Sequence, residues 1–179
     1  MWPLAAYRGR VIPRPAAVVV LMGVSGAGKT TVGLAAAERA GVRFIDADAL
    51  HPPSNVAKMA AGEPLGDADR APWLDAVAAV LVTDAPCIVA CSALKAAYRD
   101  RLRADAPHAH FALLEPDRLT LEGRVAAREG HFMPAALLDS QLATLEPPTP
   151  SENVLVLDAA RPLDDLAAAV AALLVPRVD

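Results

Sequence analysis

The sequence predicts an α/β fold in which helices cover both faces of a parallel five-stranded sheet. Short apolar runs alternate with stretches that favour helix along nearly the whole chain, and this alternation is typical of parallel sheets. The first run, 16–22, is continuously apolar, as a strand buried on both faces requires. A glycine-rich loop and a helix-favouring stretch follow it directly, so strand, loop and helix succeed one another as in a phosphate-binding unit.

The glycine-rich loop reads Gly23-Val24-Ser25-Gly26-Ala27-Gly28-Lys29-Thr30 and fits the pattern G-x-x-x-x-G-K-[ST]. Its glycines let successive backbone N–H groups point inward at an anion, and the following helix directs its positive end to the same point. Lys29 brings a charge to the β- and γ-phosphates, and Thr30 offers a hydroxyl to Mg²⁺. The motif therefore predicts a three-layer P-loop NTPase fold that binds ATP and Mg²⁺. The predicted nucleotide contacts in it are Gly23, Ser25, Gly26, Ala27, Gly28, Lys29, Thr30 and Thr31.

The remaining elements follow from apolar spacing and from residues that stop helices. Gly41 closes the first helix and Gly62 the second, and a stripe with helical spacing around Trp73 marks the third. Prolines 147, 148 and 150 break the chain before the last strand. The predicted later strands are 42–46, 86–91, 110–114 and 153–157. The predicted helices are 31–40, 54–61, one beginning at Asp67 or Asp69, 95–104, 117–127, 134–145 and 163–174.

Composition describes a globular protein of one domain. The 179 residues are 54% hydrophobic and 21% charged, with a net charge of −4 and a pI near 5.5. This balance predicts neither a nucleic-acid partner nor an anionic membrane partner, although a local site for a small anion remains compatible with it. We expect residues 1–15 to be a loose N-terminal extension and 16–179 to be the domain.

Two cysteines, Cys87 and Cys91, lie four residues apart in one predicted strand. In a strand their Cα atoms are roughly 13 Å apart, beyond the reach of a disulfide. We therefore expect two buried free thiols, as in a protein of the reducing cytoplasm.

Two carboxylates follow the second strand. Asp46 and Asp48 lie at the carboxyl end of a parallel sheet, where ligands bind, as do the P-loop and Ser92. We expect Asp46 to act on Mg²⁺ through water, and Asp48 to accept the proton of an acceptor hydroxyl. The alternative is that both only cap and shape a turn.

An arginine pair leads into a second glycine-containing loop. Arg124 and Arg128 are one helical turn apart, so both can face a transferring phosphoryl group from a lid over about 124–133. A solvated helix face is the alternative. Arg70 can bind a substrate carboxylate through two hydrogen bonds or form an ion pair with a neighbouring residue. Trp73 by itself is more typical of a hydrophobic core.

Several blocks of sequence closely resemble the gluconate kinase (gluconokinase) family. They are 23–31, Asp46-Ala-Asp-Ala-Leu-His-Pro at 46–52, Asn55 with Lys58-Met59, Gly62-Glu63-Pro64-Leu65, Asp69-Arg70-Ala71-Pro72-Trp73-Leu74, Cys91-Ser92-Ala93-Leu94-Lys95 with Tyr98-Arg99, and Gly130-His131-Phe132-Met133. The resemblance covers roughly residues 17–175, and the later blocks are more specific than the P-loop.

The resemblance implies ATP-dependent phosphorylation of D-gluconate at its 6-hydroxyl with Mg²⁺, an adenylate-kinase-like fold with a lid, and a homodimer. It implies that Lys29 and Thr30 contact the nucleotide and the metal and that Arg124 and Arg128 lie near ATP. With the chemistry of the residues themselves, this predicts catalytic roles for Lys29, Asp48, Arg124 and Arg128 and a second metal contact from Asp46. The implied acceptor contacts are Asp48, His51, Arg70, Ser92, Lys95, Arg99 and His131.

The residues by themselves leave two alternatives open. Shikimate or a nucleoside monophosphate would suit parts of the same polar set, which describes another small-metabolite kinase of this fold. A nucleotide-dependent regulatory module that turns over little ATP would keep the P-loop without an acceptor. Dependence of ATP turnover on an acceptor separates these possibilities.

Overall fold

The fold is seen in a computed structural model that describes residues 17–118, 120, 121, 123 and 135–175. Its strands form one parallel sheet in the order β2-β3-β1-β4-β5. The parallel five-stranded sheet predicted from the sequence is therefore confirmed. The strands are β1 (Val18–Met22), β2 (Arg43–Asp46), β3 (Cys87–Ala90), β4 (His110–Glu115) and β5 (Leu155–Asp158).

Helices connect the strands, with two short 3-10 turns at Ala47–Leu50 and Pro150–Glu152. Gly41 closes the first helix in the left-handed conformation, with its N–H donated to Ala37 and Glu38, as the sequence predicted. Four residues of the predicted helix at 117–127 (118, 120, 121 and 123) are helical, and 119, 122 and 124–127 lie outside the described part. The helices are α1 (Lys29–Ala40), α2 (Pro53–Ala60), α3 (Asp67–Thr83), α4 (Ala96–Asp105), α5 (Ala135–Thr144) and α6 (Leu163–Ala172).

The sheet separates two apolar cores because side chains alternate along each buried strand. Val19 and Leu21 of β1 face one core, where α1 and α6 lie, and Val18 and Val20 face the other, where α3 and α4 lie. Helices thus cover both faces of the sheet, which gives the three layers that the sequence predicted. Cys87 and Cys91 are buried free thiols, also as expected.

Strand register brings the predicted site to one edge of the sheet. Ala90 of β3 is in register with both Asp46 of β2 and Leu21 of β1, so the three strands end side by side. The P-loop follows β1, the 3-10 turn follows β2, and Ser92 follows β3. Parallel strands therefore present these segments together at their carboxyl ends, where α/β sheets bind ligands.

Two predicted segments lie outside the described residues, namely the N-terminal extension over 1–15 and the lid over 124–133. Of the helices that the structure describes, none has the length and apolar character needed to cross a bilayer.

Candidate active site

The P-loop runs between the end of β1 and the start of α1. Lys29 donates from Nζ to the carbonyl oxygens of Gly23 and Val24, at 2.9 Å and 3.0 Å, so its ammonium group lies over the loop. Glycines at 26 and 28 take positive φ values of 82° and 100°, which residues with a Cβ rarely adopt. The local sequence therefore builds the turn that aims backbone N–H groups and one lysine at a phosphate.

Gly23 is required for a second reason besides its φ of 144°. A Cβ added there would come 2.9 Å from the carbonyl oxygen of Leu114 in β4 and 3.0 Å from the Cβ of Ala27. Glycine therefore lets the P-loop lie directly against the end of the neighbouring strand.

Asp46 connects the loop to the end of β2. Thr30 donates from Oγ1 to Oδ2 of Asp46 over 3.2 Å, and the backbone N–H of Asp48 donates to Oδ1 over 3.1 Å. Asp46 therefore caps the 3-10 turn, as the alternative prediction held, while its second oxygen reaches the P-loop hydroxyl. Hydroxyl and carboxylate oxygens together are hard donors of the kind that Mg²⁺ prefers.

Asp48 lies in the 3-10 turn Ala47–Leu50 and is exposed. β2 ends at Asp46, so Asp48 belongs to the turn and not to the strand. The turn keeps Asp48 at the edge of the sheet where the P-loop lies. Its side chain is exposed there, two residues after Asp46, which contacts the P-loop.

His51 follows this turn and stacks on Trp73 of α3, with ring centroids 4.4 Å apart and planes 11° apart. The indole N–H of Trp73 donates to the carbonyl oxygen of Ala47 over 2.7 Å. Trp73 is thus 1% exposed, as a core residue would be, and also forms the surface on which His51 lies. Burial lowers the pKa of His51 below its usual 6.5, with a smaller opposing effect from Asp48 and a further lowering by Arg70.

A cationic group lies where α3 meets α4. Lys95 contacts both carboxylate oxygens of Asp67 at 2.6 Å and 2.9 Å, and the hydroxyl of Tyr98 also donates to Asp67. Arg70 donates to the carbonyl oxygen of Leu65 at 2.6 Å and to the Tyr98 hydroxyl at 3.4 Å. Both cations also approach the Tyr98 ring, at 5.8 Å for Arg70 and 5.6 Å for Lys95.

The charges of this group stabilise one another. Hydrogen bonds from Lys95 and Tyr98 lower the pKa of Asp67, and the Asp67 carboxylate raises the pKa of Lys95. Burial, followed by the bond to Asp67, raises the pKa of Tyr98. At neutral pH the group therefore holds two cations and one carboxylate, with net positive charge available to an anionic ligand.

Arg99, predicted to contact the acceptor, lies elsewhere. Its side chain is 1% exposed and pairs with Glu152, with Nε to Oε2 at 2.5 Å and Nη2 to Oε1 at 2.9 Å. Its Nη1 donates to the carbonyl oxygens of Leu94 and Glu146, at 3.2 Å and 3.1 Å. Because these contacts are internal, we leave Arg99 out of the acceptor site proposed below.

Three other predicted site residues, Arg124, Arg128 and His131, lie outside the described part of the chain. Ser92 is half-buried just beyond β3, on the same edge as the P-loop.

Within the residues that the structure does describe, no three His, Cys, Asp or Glu side chains gather as metal ligands. A metal here would accordingly take Thr30 and Asp46 together with oxygens of its ligand.

Sequence reasoning missed several contacts of the site. Asn55 and Asp67 were given no role there, and Gln141 of α5, whose Oε1 accepts from the backbone N–H of Ser25 at 2.7 Å, had no motif to mark it. The sequence motif did include the pair Tyr98-Arg99. Of these two residues, it is Tyr98 that contacts Asp67 and Arg70.

Comparison with known proteins agrees with this geometry. Residues 18–148 match the family model described as an AAA domain. A gluconokinase of Gluconobacter oxydans (strain 621H) is 50% identical over 141 residues, which cover 76% of this chain and 79% of that protein. This chain belongs to the gluconokinase family. The resemblance predicted from the motifs is therefore confirmed.

Further gluconokinases support the assignment. The thermosensitive gluconokinase of Escherichia coli (strain K12) is 46% identical over 141 residues, covering 76% of this chain and 75% of that protein. The crystal structure of a gluconokinase from Sinorhizobium meliloti 1021 superposes with a TM-score of 0.81 at 46% identity, covering 90% of this chain and 93% of that one. The gluconokinase fold thus extends over nearly the whole chain.

Proposed function

We propose that this chain transfers the γ-phosphoryl group of ATP to the 6-hydroxyl of D-gluconate, giving 6-phospho-D-gluconate and ADP. Membership of the gluconokinase family supports the acceptor. The observation that carries the chemistry is the contact of Thr30 with Asp46, which joins the P-loop to the turn that bears Asp48 and His51. A phosphate-binding loop and a set of acceptor-binding groups therefore share one edge of the sheet.

On the donor side, Lys29 and the loop N–H groups bind phosphate oxygens and stabilise charge that develops during transfer. The oxygens of Thr30 and Asp46 would hold Mg²⁺, which when bound neutralises phosphate charge. Arg124 and Arg128 are proposed to reach the same phosphates from a lid over 124–133 that excludes water.

On the acceptor side, Asp48 is proposed to accept a hydrogen bond from the reacting hydroxyl and to take its proton. Because the proton leaves late in a loose phosphoryl transfer, the orientation of that hydroxyl matters more than the basicity of the carboxylate. His51, Ser92 and His131 are proposed to bind the other hydroxyls of the acceptor.

The carboxylate of gluconate needs cationic donors. Arg70 and Lys95 supply them, and Asp67 with Tyr98 holds both cations next to one surface. An anionic acceptor gains from the net charge of this group, whereas a neutral sugar does not. The geometry therefore favours a sugar acid over a neutral polyol.

The test is ATP turnover measured with a panel of acceptors, namely gluconate, other sugar acids, shikimate and nucleoside monophosphates. We expect one ADP for each phosphorylated gluconate, with the product identified by phosphorus NMR. A Lys29→Ala variant run in parallel corrects for contaminating kinases. Acceptor-independent turnover would identify a regulatory ATPase, and turnover with shikimate alone would identify another metabolite kinase.

A cytoplasmic location and a homodimeric state are also part of the proposal. The two free buried thiols are compatible with a reducing compartment. Sedimentation velocity at micromolar concentration tests the dimer directly.

A further inference from the structure

We propose that Asn55 is a positioning residue that fixes His51 in the tautomer carrying its proton on Nε2. His51 then presents one hydrogen-bond donor to an oxygen of the acceptor, beside Asp48, which can only accept. This inference rests on the proposed function for the identity of the acceptor, but the state of the ring stands on the structure alone.

Asn55 is a buried polar residue, 2% exposed, in the first turn of α2. Its amide nitrogen donates to the carbonyl oxygen of Asp69 at 2.8 Å. The same nitrogen lies 3.3 Å from Nδ1 of His51. A carboxamide nitrogen has two hydrogens and no acceptor lone pair, so both contacts have Asn55 as donor.

The carbonyl of Asp69 fixes which end of the Asn55 amide faces these partners. A carbonyl oxygen accepts only, so the nitrogen end must face it, and the same end faces His51. Asp69 is itself held, since its carboxylate accepts from Lys58 at 2.7 Å and from the backbone N–H of Gly66 at 2.9 Å. The orientation of the amide is therefore determined by groups outside the acceptor site.

Nδ1 of His51 accordingly carries a lone pair, and in the neutral ring Nε2 carries the proton. Within the part of the chain that the structure describes, Nε2 has no hydrogen-bond partner. Burial also favours the neutral ring, and the charged groups that act on it are Asp48 from its own turn and Arg70 from α3. The free Nε2–H is thus the ring's one donor to a ligand.

Stacking on Trp73 prevents the ring from turning away. The planes are 11° apart, and the indole is anchored to the carbonyl oxygen of Ala47, one residue before Asp48. A single set of contacts therefore fixes the donor nitrogen of His51 relative to the acceptor carboxylate of Asp48. An alcohol that donates to Asp48 and whose neighbouring oxygen accepts from Nε2 satisfies both.

Nitrogen NMR of the wild-type protein tests the ring directly. The imidazole ¹⁵N shifts of the free enzyme at pH 7.5 are assigned by their loss in His51→Gln, since the chain has four histidines. We expect a protonated Nε2 and an unprotonated Nδ1. A protonated Nδ1, in the neutral ring or in the imidazolium, overturns the inference. This readout does not depend on gluconate, so it is separate from any failure of the proposed function.

Asn55→Asp tests the consequence. A carboxylate cannot donate to Nδ1, so the ring must donate instead, and Nε2 becomes an acceptor in the neutral form. We expect the gluconate KM to rise about 3–10-fold, as for one lost hydrogen bond, with kcat within about twofold. Asn153→Asp, the same change at the other asparagine of the chain, is the control. A folded Asn55→Asp enzyme with the wild-type shifts and gluconate KM refutes the proposal.

Discussion

The side-chain oxygen of Gln141 accepts a hydrogen bond from the backbone N–H of Ser25, over 2.7 Å between Oε1 and N. Gln141 lies in α5, which begins directly after the proposed lid, and Ser25 is the third residue of the P-loop. The loop is thus held by a helix more than one hundred residues further along the chain. This contact makes the shape of the phosphate site depend on the placement of α5.

Replacing Gln141 should therefore weaken ATP binding. In Gln141→Leu the Ser25 N–H loses its partner, and we expect the KM for ATP to rise about 3–10-fold. Gln141→Glu keeps the shape but brings a negative charge to the phosphate loop, so its ATP KM should rise further. Ser140→Ala is the control on the same helix, and steady-state kinetics with calorimetry measure the effect. Equal ATP affinity in all four proteins would show that the contact is incidental.

Lys29→Ala should lower kcat far more than it lowers stability. The Lys29 ammonium donates to the loop carbonyls of Gly23 and Val24, at 2.9 Å and 3.0 Å, and its proposed role is to stabilise charge on the transferring phosphoryl group. Loss of such a stabilising group lowers kcat by about 10²-fold or more. Thermal unfolding of both proteins provides the control. Full turnover by the folded variant would remove the lysine from the mechanism.

Local patterns determined what the sequence could predict. The P-loop and its helix depend on neighbouring residues, and buried strands are marked by continuous apolar runs, so both were predicted closely. The turn after Asp46 was predicted only as an alternative, because its cap is the Asp46 carboxylate itself, which the sequence presents equally well as a metal ligand. Charge and position alone do not separate these roles.

Long-range pairing explains the other differences. Arg99 appeared suited to an anionic acceptor, but its position on the buried face of α4 and its partner Glu152, 53 residues away, place it inside the protein. Tyr98 and Asp67 are 31 residues apart and meet only when α3 packs on α4. The spacing of residues within one helix or strand does not predict such contacts, because they depend on how the layers pack together.

The two aspartates should respond differently to the same substitution. Asp48→Asn keeps the size of the side chain but removes its charge, so kcat should fall by about 10²–10⁴-fold, the span for general acid–base groups. ATP affinity should be nearly retained, because the proposed partner of Asp48 is the acceptor hydroxyl and not the phosphates. Asp46→Asn weakens the pair with Thr30 and should instead raise the Mg²⁺ concentration needed for half-maximal rate.

Rates measured over a Mg²⁺ series for both variants separate these roles. A wild-type kcat in Asp48→Asn with a raised gluconate KM would mean that Asp48 only binds the acceptor. An unchanged Mg²⁺ requirement in Asp46→Asn would leave Asp46 as a cap for the turn.

The buried pair of Arg99 and Glu152 should make stability depend on pH in acid. The Arg99 guanidinium, by hydrogen bonding, lowers the pKa of Glu152 from 4.5 to about 2 against the opposing effect of burial. A carboxyl group with a lower pKa in the folded state binds protons more readily when unfolded. Its stabilising contribution is therefore complete above the unfolded pKa of 4.5 and is lost as the pH falls towards about 2.

Glu152→Gln should remove this dependence. The amide leaves Arg99, which is 1% exposed, without its counter-charge, so we expect the free energy of unfolding to fall by about 3 kcal/mol at neutral pH. Between pH 4.5 and about 2 the stability of the variant should fall less steeply than that of the wild type. Urea unfolding across this range measures both effects, with Glu38→Gln on the exposed face of α1 as the control. If Glu152→Gln and the wild type lose stability in parallel over this interval, the acid dependence originates from other carboxylates.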